Sequence, residues 1–93
     1  MIAVSQEAAS AVLESLKAHG IGPVRGLRLV KQEEDQFDLE VDYPTERDLV
    51  IQSEDSTILI VEDRLSDMVS DTILDVDYSM AEPRLVLRPQ NSK

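Results

Sequence analysis

The feature that most constrains this chain is a change of hydrophobic period just after residue 20. Before it, Ala8, Ala9, Val12, Leu13 and Leu16 recur at three- and four-residue intervals, which stacks them on one face of a helix. After it, Phe37, Leu39, Val41 and Tyr43 alternate with Asp38, Glu40 and Asp42. That is the two-residue period of a strand with one apolar face and one acidic face.

The helix has both of its ends written in. Ser5 is placed to cap the first turn with its hydroxyl, and Glu7 puts a negative charge near the positive end of the helix dipole. Lys17 and His19 fall in the last turn, Gly20 is a natural C′ residue, and Gly22-Pro23 prevents continuation.

Strands dominate from there on. Leu27 and Leu29 alternate with Arg28 and Val30, and residues 32–36 form a polar turn leading into the run that holds Phe37. The two runs predict a hairpin, which Tyr43-Pro44-Thr45 ends. A second hairpin is expected where residues 49–51 and 57–61 flank the turn residues 53–56. The unbroken apolar run at 58–61 is predicted to lie deep in the fold.

Asp63 is expected to cap a short helix. Leu65, Met68 and Val69 would share its buried face, and Asp67 and Ser70 would face outward. Leu74, Val76 and Tyr78 alternate with Asp75 and Asp77, giving another strand. Pro83 breaks the chain, residues 85–87 form a last strand, and the tail after Pro89 frays. This order lacks the β-α-β alternation of a doubly wound sheet. It fits an α+β domain with mostly antiparallel or mixed strands, an N-terminal helix and a second short helix.

With 93 residues, the chain is expected to form one domain, 1–93. Phe37, Tyr43 and Tyr78 are its only aromatic residues, so its core is built of Val, Leu and Ile. Nineteen acidic and nine basic residues give a net charge of −10. Such a surface repels phosphate backbones and anionic lipid, which argues against nucleic-acid and membrane partners; an ordinary solubility charge explains it.

Cysteine is absent, which excludes disulfides, thiolate nucleophiles, thiolate zinc sites and all-thiolate iron–sulfur ligation. Residues 1–4 run straight into the helix with no basic segment followed by an apolar one, and no apolar run is long enough to span a bilayer. A cytoplasmic protein is expected.

The ordered pieces resemble the HesB-like, or IscA-like, A-type iron–sulfur carriers along nearly the whole chain. Those proteins open with a short strand and a capped helix, followed by a strand close to Gly-Leu-Arg-Leu. Here that place is held by Gly26-Leu27-Arg28-Leu29. Leu39-Glu40-Val41-Asp42 is similar to the next family strand, and residues 58–61 followed by 63–69 resemble its apolar strand and short helix. Thr72-Ile73-Leu74-Asp75 resembles a Thr-x-Leu-Asp segment, and Leu85, Leu87 and Pro89 form a weakened version of the closing strand.

The resemblance implies a single small HesB-like domain and a habit of forming homo-oligomers. The carriers place one cysteine in a loop after the Gly-Leu-Arg-Leu strand and two in a C-terminal tail. None of the three is present here, where the loop reads Gln32-Glu33-Glu34-Asp35-Gln36. Carboxylates are poor substitutes for soft thiolates on a cluster, so the family's cofactor is not expected to bind.

Few other groups suggest chemistry. Glu33, Glu34 and Asp35 occupy the loop-ligand position and are candidate ligands for a hard cation such as iron(II), calcium or magnesium. A solvated hairpin turn is the preferred reading, because the calcium-loop spacing is missing. Asp63, Asp67 and Asp71 form an acidic stripe if the second helix continues through them, and the preferred reading of that stripe is an exposed face.

His19, the only histidine, is expected to serve its helix end. No Gly-x-Ser-x-Gly elbow or phosphate loop is present, so no catalytic residue is predicted. The expected function is therefore non-enzymatic. It is that of an accessory or protein-binding scaffold whose partner belongs to the iron–sulfur assembly machinery. A small-cation-binding protein is the alternative.

Overall fold

The computed structural model describes residues 1–33, 36–79 and 81–90. It contains β1 (Ala3–Val4), α1 (Gln6–Ala18), β2 (Gly26–Glu33), β3 (Gln36–Asp42), β4 (Asp48–Ser53) and β5 (Ser56–Glu62). These are followed by α2 (Asp63–Ser66), β6 (Thr72–Asp77) and β7 (Arg84–Pro89). The strands form two sheets, of order β3-β2-β5-β4 and β1-β6-β7. Both predicted hairpins are present as antiparallel pairs, β2 with β3 and β4 with β5. Parallel pairing enters where β2 meets β5 and where β1 meets β6, so each sheet is mixed. The architecture is α+β.

α1 forms as its residues dictate. The Ser5 hydroxyl accepts from the Ala8 N–H at 3.0 Å, satisfying one of the helix's free donors. Ala8, Val12, Leu13 and Leu16 are buried. At the other end Gly20 adopts φ +69°, a left-handed conformation that glycine enters without steric cost. The buried face of α1 joins Leu29, Leu59, Val61, Leu74 and Val76 in one core. Residues 58–61 are all fully buried, as their unbroken apolar run predicts.

Gly26 is fixed by packing. A Cβ there would lie 2.7 Å from the Thr57 carbonyl oxygen and 2.8 Å from the Thr57 methyl. The absent side chain lets β2 start against the beginning of β5.

Four expectations are corrected. α2 is one turn long, and residues 67–70 continue as turns. The reason is local: the Ser66 and Ser70 hydroxyls donate to the Asp63 and Asp67 carbonyls at 2.9 and 3.1 Å, competing with helix propagation. Asp63 is the first residue of α2 and not its cap. Glu62 holds the cap position without a side-chain bond, because it still pairs with Asp48 in the sheet. Met68 is exposed, while Leu65 and Val69 are buried as expected. Finally, Val41, Tyr43 and Tyr78 are exposed. β3 is an edge strand that ends at Asp42, and β6 ends at Asp77.

Candidate functional site

The most elaborate polar arrangement centres on Arg28, the third residue of β2. Its Nε donates to Asp42 Oδ2 at 2.7 Å. Its two terminal nitrogens donate to the two Asp48 oxygens at 3.0 and 2.8 Å, and Nη2 also reaches the Tyr43 carbonyl at 3.0 Å. Asp48 accepts two further bonds at Oδ2, from the Thr45 N–H at 2.7 Å and the Thr45 hydroxyl at 3.0 Å. The fork-on-fork geometry is the strong form of the arginine–carboxylate pair.

Burial sets the electrostatics. The Arg28 side chain is 12% exposed, Asp48 2% and Asp42 49%. The hydrogen bonds from Arg28 pull the Asp48 carboxyl down from 3.8 to about 2, against the opposing effect of burial. Arg28 is held still more firmly in its charged form, mainly by Asp48. Arg28 also hydrogen-bonds Asp42 and lowers it. The sheet explains the burial: Arg28 lies in register with Ile60 of β5, which pairs with Val50 of β4, and Ile60 is fully buried.

Chemically, this node is a tie. Asp48 already accepts four bonds and Arg28 donates four, so neither has free capacity for a substrate. Neither is a proton carrier near neutral pH, because both are pushed away from it. Its product is shape, since it anchors the connection from β3 to β4 across β2. An open cleft of ≈ 550 Å³ lies beside it, with Arg47, Glu62, Asp63 and Arg64 on its walls. Acids and bases alternate there, and Glu62 and Arg64 are paired at 2.7 Å.

A second, smaller node ties the N-terminus to the three-stranded sheet. The Ser5 hydroxyl caps α1 and also donates to Asp75 Oδ1 at 2.8 Å, and Arg88 Nε stands 3.3 Å from Asp75 Oδ2. The Ser5 bond is the main cause of a lowered Asp75 carboxyl.

The residues singled out in the sequence are scattered. Glu33 is exposed at the end of β2, opposite Gln36, while Glu34 and Asp35 lie outside the described residues. Asp63, Asp67 and Asp71 are all exposed, but the helix that would align them stops at Ser66. His19 is the C-cap residue of α1; its Nδ1 lies 2.8 Å from the Ser15 carbonyl, an oxygen that can only accept, so the ring serves the helix end. Among the described residues no three His, Asp or Glu side chains gather as a metal group, and no buried side-chain polar atom is without a partner.

The Arg28 node was overlooked in the sequence, although a signal was there. An arginine set between Leu27 and Leu29 needs an acid, and Asp48 opens an otherwise apolar strand.

No protein-family model and no curated protein matches this chain. Solved structures do. SufA of Escherichia coli, described as involved in biosynthesis of iron–sulfur clusters, aligns over 95% of this chain and 84% of its own, with TM-score 0.76 and 17% identity. IscA, in a crystal structure with a 2Fe–2S cluster, aligns over 98% of this chain and 86% of its own, with TM-score 0.65 and 16% identity.

The chain has the HesB-like fold of the A-type iron–sulfur carriers.

On this HesB-like frame the donor set for a cluster is missing. A 2Fe–2S centre is held by thiolates, in some cases with imidazoles. This chain has no cysteine, and its one histidine closes a helix. The residues present do not fit a cluster.

Proposed function

We propose that this protein is a non-enzymatic HesB-like scaffold that works through protein–protein contacts in iron–sulfur assembly without carrying a cluster. One observation carries the reading: a carrier fold is kept along nearly the whole chain while all 93 residues lack a thiolate. The arrangement of the polar side chains supports it. The two best-formed nodes, around Arg28 and Asp75, spend their hydrogen bonds on holding strands and leave none for a substrate.

No helix among the described residues is long and apolar enough to cross a membrane, and we place the protein's action in the cytoplasm. Its partner is a protein of the assembly machinery, met on the surface the fold provides.

The test is an anaerobic pull-down with the purified chain as bait, with metal analysis of the same sample. Recovery of assembly proteins on a metal-free bait is the expected result. A stoichiometric bound metal with no such partner would contradict the reading and point to the carboxylate alternative involving Glu33, Glu34 and Asp35.

A further inference from the structure

Two strand edges are left without neighbours on either side of one groove. β3 bonds only to β2, and β7 bonds only to β6. The groove between them is lined by the buried side chains of Leu29 and Leu74. Half-buried Phe37 and Leu39 stand on one bank, and Leu85 and Leu87 on the other. Each bank therefore offers an apolar inner face and a row of unpaired backbone donors and acceptors, a ready template for another strand.

The outward residues identify the partner. Phe37 and Leu39 pack on the core, so the alternate positions of β3 are Asp38, Glu40 and Asp42. Leu85 and Leu87 pack on the core, so those of β7 are Arg84, Val86 and Arg88. Pairing β3 with its own copy would set acids against acids, and pairing β7 with its own copy would set Arg against Arg. Like charges directly opposite are destabilising. Only β3 against β7 is complementary, and it is so in either direction. Antiparallel pairing sets Asp38 against Arg88 and Asp42 against Arg84. Parallel pairing sets Asp38 against Arg84 and Asp42 against Arg88. In both, Glu40 faces Val86.

We propose that the groove is a self-association surface, in which β3 of one copy pairs with β7 of a second copy, twice about a two-fold axis. Two copies facing groove to groove cover all four free edges and bury both sets of groove leucines. The two-fold relation closes the assembly at a dimer, whereas a single β3–β7 contact would propagate into a filament. The inference rests on these edges alone; it holds whether or not the protein serves iron–sulfur assembly.

Asp42 and Arg88 have partners within their own chain, so the test uses Glu40 and Val86. Sedimentation equilibrium of the purified chain is expected to show a monomer–dimer equilibrium. Val86→Glu faces Glu40 twice per dimer and weakens it by about tenfold. Val86→Lys, equally polar, strengthens it, and the double variant Glu40→Lys/Val86→Glu restores it. Circular dichroism confirms that each variant is folded. Equal effects of Val86→Glu and Val86→Lys would overturn the proposal. So would a chain that is monomeric at every concentration, which would leave a strand from a foreign protein as the groove's occupant.

Discussion

Arg28 and Asp48 show how one residue pair determines local shape. Removing one partner leaves the other charged and buried, which costs about 3–5 kcal/mol in comparable pairs. Arg28→Ala is thus expected to lower the urea midpoint far more than the double replacement Arg28→Met/Asp48→Leu, which removes both charges and keeps volume. Equal losses in the two variants would contradict a tie made of mutual charge.

Acid should expose the same pair. Asp48 titrates at about 2 in the folded chain, against 3.8 unperturbed, so the folded state favours its charged form. The stability it adds, about 2 kcal/mol, is fully present above pH ~4 and is lost as pH falls through about 2. Asp48→Asn removes that dependence, and its unfolding free energy between pH 5 and 2 is expected to fall less steeply than that of the parent.

Gly26 belongs to the same scale. Gly26→Ala drives a methyl to 2.7 Å from the Thr57 carbonyl and is expected to cost about 1–3 kcal/mol. An unchanged melting temperature would mean that β2 and β5 separate easily. None of these three roles was legible from residue type alone. They depend on the parallel pairing of β2 with β5, which joins residues some 30 positions apart.

At the scale of elements the sequence was far more informative. α1 could be read from Ser5 to Gly20, because the cap, the apolar stripe and the left-handed stop all act within a few residues. Both hairpins could be read because their periods and turns are local. α2 could not, since the hydroxyls of Ser66 and Ser70 shorten a pattern that looks helical. β1 entered only through the family resemblance; two residues carry no period, and this strand exists because β6 lies beside it.

Ser5 couples element to element. Its hydroxyl caps α1 and bonds Asp75 across 70 positions of sequence, so Ser5→Ala is expected to cost more than the ~1 kcal/mol of an ordinary cap. Asp75→Asn combined with Ser5→Ala should cost less than the sum of the single losses, by a double-mutant cycle in urea. Strict additivity would show that the cap and the strand contact act independently.

For the whole molecule, the ordered strings from Gly26 to Pro89 gave the HesB-like fold, and the structural comparison bears it out. The candidate site was less legible. Attention to Glu33, Glu34 and Asp35 came from the carriers' loop, whereas the described polar networks lie around Arg28 and Asp75, where a strand motif meets acids from other strands. Short motifs record which strands are present. Which side chains meet across them depends on register, and register is a property of the assembled sheets.

The central claim is that a carrier fold persists here without a carrier's chemistry. Anaerobic incubation of the purified protein with iron and sulfide, followed by desalting and visible absorption, tests it most directly. The protein is expected to emerge colourless, with no iron or acid-labile sulfide retained. A stable, stoichiometric cluster spectrum would contradict the account.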